Sequence, residues 1–409
     1  MPKVFAAVIC CCLWSCGLLA QNPTGTLVPP DKMVTTDTTG QRDIIGIALK
    51  LSHIHLKKPP TVRGKRVYYS FIPLSTAVPG GGNALVTATN AGFYLGDRKN
   101  TYLSNVTFSP STNLKGEFNI PFHSNIWSPN NAWNYEGDWR LTILPQYTWG
   151  LGGNTAPSNK ILIHSTYIRF YENALKRIKP YLYAGGGYNL DWHINIRPDN
   201  DSINLRKFVG YKYGTGNNSN SISSGLTFNL LYDTRNNAFN PLPGWFYDIM
   251  FRLNPKVLGS EDNWYSIYLD ARKYISFNEK HQNVLAFWSY FWTTLGTNAP
   301  YLDLPALGWD ANQRSGRGFY QSRYTGRSLG YFETEYRRSI TSDELLGFVL
   351  FFNMNTVTEP GMSNFAYVHA AAGGGLRVKF NKHSGTNVCI DFGASKGYYA
   401  FYLNLGEAF

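Results

Sequence analysis

From Val67 to Phe409 the chain is written in runs of about ten residues in which apolar side chains alternate with polar or small ones, each run closed by turn residues. Strand side chains point to opposite faces with a period of two, so each run carries one apolar and one polar face. In LLGFVLFFNMN, Leu346, Phe348, Leu350, Phe352 and Met354 share a face. In GGGLRVKF, Leu376, Val378 and Phe380 oppose Gly375, Arg377 and Lys379; in NVCIDFGAS, Val388, Ile390 and Phe392 oppose Asn387, Cys389, Asp391 and Gly393. Apolar outside and polar inside is the layout of a transmembrane barrel. The polar sets must then face the lumen, because Arg or Lys turned to lipid at mid-membrane costs about 2–4 kcal/mol.

Composition agrees. Charged residues make up only 16% and aromatics also reach 16%, where soluble domains carry roughly 25% charge. The missing charge is replaced by aromatics and by Asn, Ser and Thr, not by aliphatic core. Counting runs predicts an all-β, 16-stranded antiparallel barrel, with strands at 67–76, 84–95, 100–109, 112–122, 132–147, 160–174, 178–194, 220–235, 243–254, 261–276, 283–297, 327–340, 343–356, 365–381, 386–395 and 398–409. With the N-terminus in the periplasm, the short links 236–244, 278–280 and 341–343 fall on the periplasmic side and the long segments 195–219 and 298–326 fall outside. An even count lets first and last strands pair antiparallel and leaves no open edge in hydrocarbon.

Before the barrel, residues 1–20 (MPKVFAAVICCCLWSCGLLA) combine Lys3, an apolar run and Ala20, which reads as a signal peptide; the lipoprotein-type alternative at Cys16 fits less well. Cleavage after Ala20 leaves Cys389 as the single cysteine, so no internal disulfide and no cysteine-based zinc site is expected. No later run reaches 18 apolar residues, so no spanning helix is expected. Residues 21–66 are expected to form a periplasmic tail: 21–41 lack periodicity, whereas 43–55 place Ile44, Ile47, Ala48, Leu51 and Ile54 on one face of a short amphipathic helix. That helix could plug the barrel, lie on the membrane or pack as a cap, and strand alternation fits the segment nearly as well. The net charge of +12 and pI near 9.3 could suggest nucleic acid, but secretion argues against it. The basic group Lys57, Lys58, Arg63, Lys65 and Arg66 suits phospholipid head groups or a negatively charged partner, and a solvated linker fits it better still.

The stretch Gly308–Ile340 concentrates glycine, arginine and aromatics around Gly316-Arg317-Gly318-Phe319. Small neighbours let the backbone turn tightly and carry a long guanidinium into a confined polar space. Read alone, Arg317 fits a solvated external loop better than a confined one. At the far end, Phe401, Leu403, Leu405 and Phe409 are expected to share one face of an aromatic final strand that resembles the assembly signal of Gram-negative outer-membrane proteins, with Glu407 as a departure.

RSGRGF (314–319), GYFETEYRRSI (330–340), GGGLRVKF (373–380), NVCIDFG (387–393) and the final LNLGEAF together resemble the BamA/TamA-like outer-membrane assembly barrels, the bacterial surface antigen family; DTRNNAFNPLPGWFYDI (233–249) is similar to one of its periplasmic turns. The resemblance implies that the sixth external loop folds back into the lumen, with Arg317, Gly318 and Phe319 as a latch on acidic wall residues. Where the family often has an aspartate this chain has Asn353, which lacks a carboxylate for paired contact, so the expected partners are Asp391 or Glu335, with Glu333 and Asn353 as further candidates. Only 46 residues (66 − 20) separate the cleavage site from the first strand, so the family's substrate-receiving repeats are expected to be absent and a partner to supply capture.

No enzyme is expected. Gly393-Ala394-Ser395-Lys396-Gly397 has the letters of a nucleophile elbow, but no helix, acid or histidine follows it. No metal or cofactor motif appears, so no cofactor is expected. The expected role is an accessory or specialised factor in outer-membrane protein assembly or translocation, working through a weak seam between the first and last strands and contacting outer-membrane lipids and assembly-machinery or lipoprotein partners. A passive or lipid-handling channel and a structural anchor of a larger surface complex are the alternatives.

Overall fold

A computed structural model describes residues 40–53, 67–77, 83–211, 219–235, 237–277 and 282–409. The leader at 1–20, nearly all of the tail segment 21–41 and the basic group from Lys57 to Arg66 lie outside the described residues.

Eighteen strand segments run consecutively as one antiparallel meander: β1 (Val67–Ala77), β2 (Asn83–Phe93), β3 (Ser104–Phe108), β4 (Ser111–Thr112), β5 (Phe118–Trp127), β6 (Trp133–Thr142), β7 (Gln146–Thr148), β8 (Ile161–Lys179), β9 (Leu182–Pro198), β10 (Ser221–Asp233), β11 (Gly244–Asn254), β12 (Trp264–Ser276), β13 (Asn283–Leu295), β14 (Ser328–Ser339), β15 (Leu346–Val357), β16 (His369–Asn381), β17 (Thr386–Ser395) and β18 (Tyr398–Leu405). β3 and β4 both lie between β2 and β5, and β6 and β7 both pair with β8. The eighteen segments therefore fill sixteen positions (18 − 2), and the count read from alternation holds. Pro110 interrupts the first of these strands, because proline cannot donate to a ladder. Pro145 sits in the break of the second.

The strand expected at 112–122 lies instead at Phe118–Trp127, because 111–112 still belong to the preceding strand and Asn113–Glu117 form the turn. The final strand ends at Leu405, short of the expected 409, where Gly406 takes a left-handed φ of 84° that ends the extended run. The segment expected as a helix over 43–55 is helical over Ile44–Leu51. A second short helix, Leu205–Val209, stands within the long 199–220 connection.

The period-two faces sort as expected. On β15, Val349, Phe351, Asn353 and Asn355 are buried while Leu346, Leu350 and Phe352 face outward; on β17, Cys389 and Asp391 are buried while Ile390 and Phe392 are exposed. The exposed apolar set, which also includes Phe228, Ile249, Leu376 and Phe401, forms the outer band. Inside, acid–arginine pairs two residues apart repeat around the wall: Asp138 with Arg140, Asp233 with Arg235, Asp270 with Arg272 and Glu335 with Arg337. Spacing of two puts both members on one face, so each strand brings its own counter-charge into the lumen.

Candidate functional site

Residues 296–327, between β13 and β14, cross the lumen and cluster with its inner wall. Their first half is held by Asp303, which accepts from Ser223 Oγ at 2.5 Å and pairs with His193 Nε2 at 3.1 Å, both on lumenal faces of β9 and β10. Further along, Ala311 O accepts from Arg140 Nη2 at 2.9 Å, and Arg323 donates to Thr155 Oγ1 at 2.6 Å and Thr155 O at 2.7 Å. Asp303→Ala would strand the buried Ser223 and His193 groups at a cost of about 1–3 kcal/mol each. Faster trypsin cleavage within 296–327, with the barrel still compact on a gel, is the expected result.

The turn that presents the motif is built by Asp310, whose Oδ1 accepts from Ser315 N at 2.8 Å and Ser315 Oγ at 2.5 Å and whose Oδ2 accepts from Arg314 N at 3.1 Å. Gly316 (φ 79°) and Gly318 (φ 92°) then take left-handed conformations on either side of Arg317. A Cβ on Gly318 would lie 2.8 Å from Ala371 Cβ and 3.0 Å from Ala394 N, so the motif backbone lies flush against β16 and β17. Gly393 completes the fit from the wall side: a Cβ there would meet Gly318 N at 2.8 Å.

Arg317 is buried and reaches three carboxylates. Nη1 donates to Asp391 Oδ2 at 2.8 Å, and Nη2 donates to Glu333 Oε1 and Glu335 Oε1. Its guanidinium stacks over Phe351 at 3.7 Å from the ring centre. The surrounding backbone is clamped as well: Asn353 Nδ2 donates to Arg317 O (2.8 Å), Ser395 Oγ to Gly318 O (2.6 Å), Gly318 N to Tyr402 OH (2.8 Å) and Gly316 N to Tyr331 OH (3.0 Å). Burial alone would push the Arg317 pKa down, but Glu333, Glu335 and Asp391 reverse this and hold it well above its usual value. Arg314, three residues earlier, shows the contrast: burial pushes it below its usual value, and its Nη2 donates to the carbonyl of Leu405, at 3.4 Å.

The cluster continues to the end of the chain. Glu335 Oε2 accepts from Arg337 Nε at 2.7 Å, and Arg337 Nη2 donates to Phe409 O at 2.9 Å. Asp391 Oδ1 accepts from Arg377 Nη1 at 2.5 Å, and Arg377 Nε donates to Glu407 Oε2 at 2.8 Å. Residues 406–409 turn inward here. Phe409 is buried with its ring 5.2 Å from Trp288 and 6.2 Å from Tyr274. Three arginines thus share four carboxylates between the motif and this segment. Members of one buried charge network couple non-additively. Combining Arg317→Lys with Glu407→Gln should therefore deviate from the sum of the single changes by about 0.5–3 kcal/mol in unfolding stability; simple additivity would show the two ends to be independent.

All four residues named from the sequence as candidate partners meet the motif: Glu333, Glu335 and Asp391 at the guanidinium, Asn353 at the Arg317 carbonyl. Of the aromatic end set, Phe401 and Leu403 face outward, Leu405 is buried, and Phe409 leaves the strand for the lumen, correcting the expectation that all four share one face. Glu407, a departure by residue type, is explained by its bonds to Arg377 and Asn387. Unforeseen members are Tyr331, Phe351, Arg337 and Arg377, all at inward positions that alternation marks. Asp310 sits in irregular loop and Asp303 ends the one-turn 3-10 helix Tyr301–Asp303, where no periodicity points to them.

The second feature is the seam. β1 pairs with β2 from Val67↔Phe93 to Ala77↔Asn83, and β18 with β17 from Val388↔Leu405 to Ser395↔Tyr398. Among the described residues no ladder joins β18 to β1. Side chains bridge the gap instead: Asn90 Nδ2 donates to Leu405 O (3.3 Å), Asn381 Nδ2 to Tyr69 O (3.5 Å), and Tyr68 stacks on His383 at 5.6 Å. Below the loop lies a cavity of about 310 Å³, lined by Asp138, Arg169, Arg252, Asp270 and Arg272 among others.

Residues 166–409, more than half of the chain, match the Omp85 superfamily domain. No curated protein sequence matches the chain. Among solved structures it is similar to BamA from Haemophilus ducreyi lacking POTRA domains 1–3, at 15% identity and a TM-score of 0.50, covering 83% of this chain and 70% of that one. It is also similar to CdiB from Escherichia coli, at 12% identity and a TM-score of 0.56, covering 86% of this chain and 63% of that one, less than two thirds of CdiB's length. At these identities the likeness is one of fold.

Proposed function

The chain belongs to the Omp85 superfamily, and from that premise we propose that it is an accessory or specialised factor in the assembly or translocation of outer-membrane proteins. The observation that carries this reading is the seam. Among the described residues every other neighbouring pair of strands is laddered, whereas β18 meets the β1–β2 hairpin through Asn90 Nδ2 on the Leu405 carbonyl, and Asn381 of β16 reaches across to Tyr69 O. Unpaired backbone groups facing hydrocarbon are costly, so such an edge is disposed to accept a strand from another chain by β-augmentation.

In this proposal Arg317, Gly318 and Phe319 latch the sixth loop to the wall, keeping the barrel in register while the seam works. Residues 296–327 cross the lumen, and Phe409 packs inside it against Trp288 and Tyr274, which weighs against a passive channel. Outer-membrane lipids surround the barrel, and assembly-machinery or lipoprotein partners deliver or receive clients. Depletion of the protein followed by quantitative outer-membrane proteomics tests the role. Loss of a subset of barrel proteins is expected; an unchanged barrel-protein profile would sink the proposal.

A further inference from the structure

The helix Ile44–Leu51 takes no part in the lumenal cluster or the seam. Its eight residues, IIGIALKL, are apolar on nearly every side, yet none is buried, and Leu51 is 77% exposed. None of its residues lines the lumenal cavity. A helix this short is not stable in water by itself. It is fixed at its N-terminal end: Asp43 Oδ1 caps Gly46 N at 2.8 Å while Asp43 Oδ2 accepts from Lys382 N at 2.8 Å. Arg42 N donates to Asp343 O at 3.0 Å, and Gln41 Nε2 to Glu344 Oε2 at 2.9 Å. These bonds tie it to the turns β14–β15 and β16–β17, on the rim of the short connections.

At that rim the outward apolar band of the barrel ends in Ile340 and Leu346, 58% and 40% exposed, which flank the turn that holds Arg42. The bonds of Gln41, Arg42 and Asp43 set the helix at that rim, beside β16. Arg42 and Lys50 are exposed near its two ends, at the level where head-group phosphates would lie. We propose that this helix is an in-plane membrane anchor, seated in the boundary between head groups and acyl chains of the adjoining leaflet, with phospholipid as its partner. The proposal rests on the barrel fold and is independent of any assembly role.

The test places a benzophenone amino acid at position 47 or 51 of the full chain in vesicles of phosphatidylethanolamine and phosphatidylglycerol. The same amino acid at position 114, fully exposed in a loop on the opposite rim, is the reference. Irradiation should give phospholipid adducts several-fold above that reference. Yields equal to the reference, or adducts to a second copy of the chain in their place, would overturn the proposal. Heat-modifiability confirms that each variant is folded, and position 51, which is highly exposed, remains usable if substitution at 47 disturbs the helix. Lys50→Glu should also lower the share of phosphatidylglycerol among the adducts; an unchanged share contradicts pairing with anionic head groups.

Discussion

Arg317→Ala should lower the temperature at which the compact barrel band converts to the unfolded form on a gel, by more than any other single change in the lumen. Removing one partner of a buried charge cluster leaves the others uncompensated, at a cost of about 3–5 kcal/mol. The burden is unequal. Glu335 keeps Arg337 and Asp391 keeps Arg377, whereas Glu333 is left with the Tyr331 hydroxyl alone. Adding Glu333→Gln to Arg317→Ala should therefore recover part of the loss, which a purely steric role for Arg317 does not predict. Arg317→Lys should fall between, since a point charge cannot reproduce a fork that reaches three acceptors and stacks on Phe351. An alanine variant as heat-stable as the parent would make an internal latch untenable.

Gly318→Val is expected to expel the same loop with every charge still in place. At φ 92° a β-branched residue is strained by about 1–3 kcal/mol before any contact is considered. Its Cβ would then meet Ala371 Cβ at 2.8 Å and Ala394 N at 3.0 Å, and the second of these is strand backbone that cannot step aside. Gly316→Val, at a left-handed φ of 79°, should be milder, because the nearest atoms there belong to the side chain of Leu307 and not to strand backbone. Trypsin added to the long-loop side reads the difference at Arg314 and Arg317: resistant in the parent, cleaved in Gly318→Val, intermediate in Gly316→Val. Equal resistance in all three would show that the close fit against β16 and β17 is not what holds the loop.

Much of the barrel was legible because one physical rule repeats along it. Lipid on one side and a polar lumen on the other force alternation, and alternation at Leu346–Asn355 or Asn387–Gly393 names inward and outward residues directly. The rule fails where a strand breaks. Pro110 and Pro145 each split one, and for that reason the strand after the first starts several residues later than alternation predicts. Gly406 supplies a left-handed turn that sends Phe409 inward, a departure that a two-residue period carried on to the last residue conceals. The acidic surroundings of Arg317 were visible as inward Glu333, Glu335 and Asp391. That all three converge on one guanidinium depends on strand register, and the bracing by Asp310, Ser395 and Tyr402 depends on how an irregular loop folds across the barrel.

The most direct test of an assembly role is made at the edge itself. A benzophenone amino acid at Phe401, which lies on the outward face of β18 and is 74% exposed, can be irradiated in native outer membranes during synthesis of barrel proteins. Adducts to other outer-membrane barrel proteins, lost when new synthesis is stopped, are the result expected if the seam receives client strands. Adducts confined to lipid and to this chain's own first strand, whether or not synthesis continues, would contradict it.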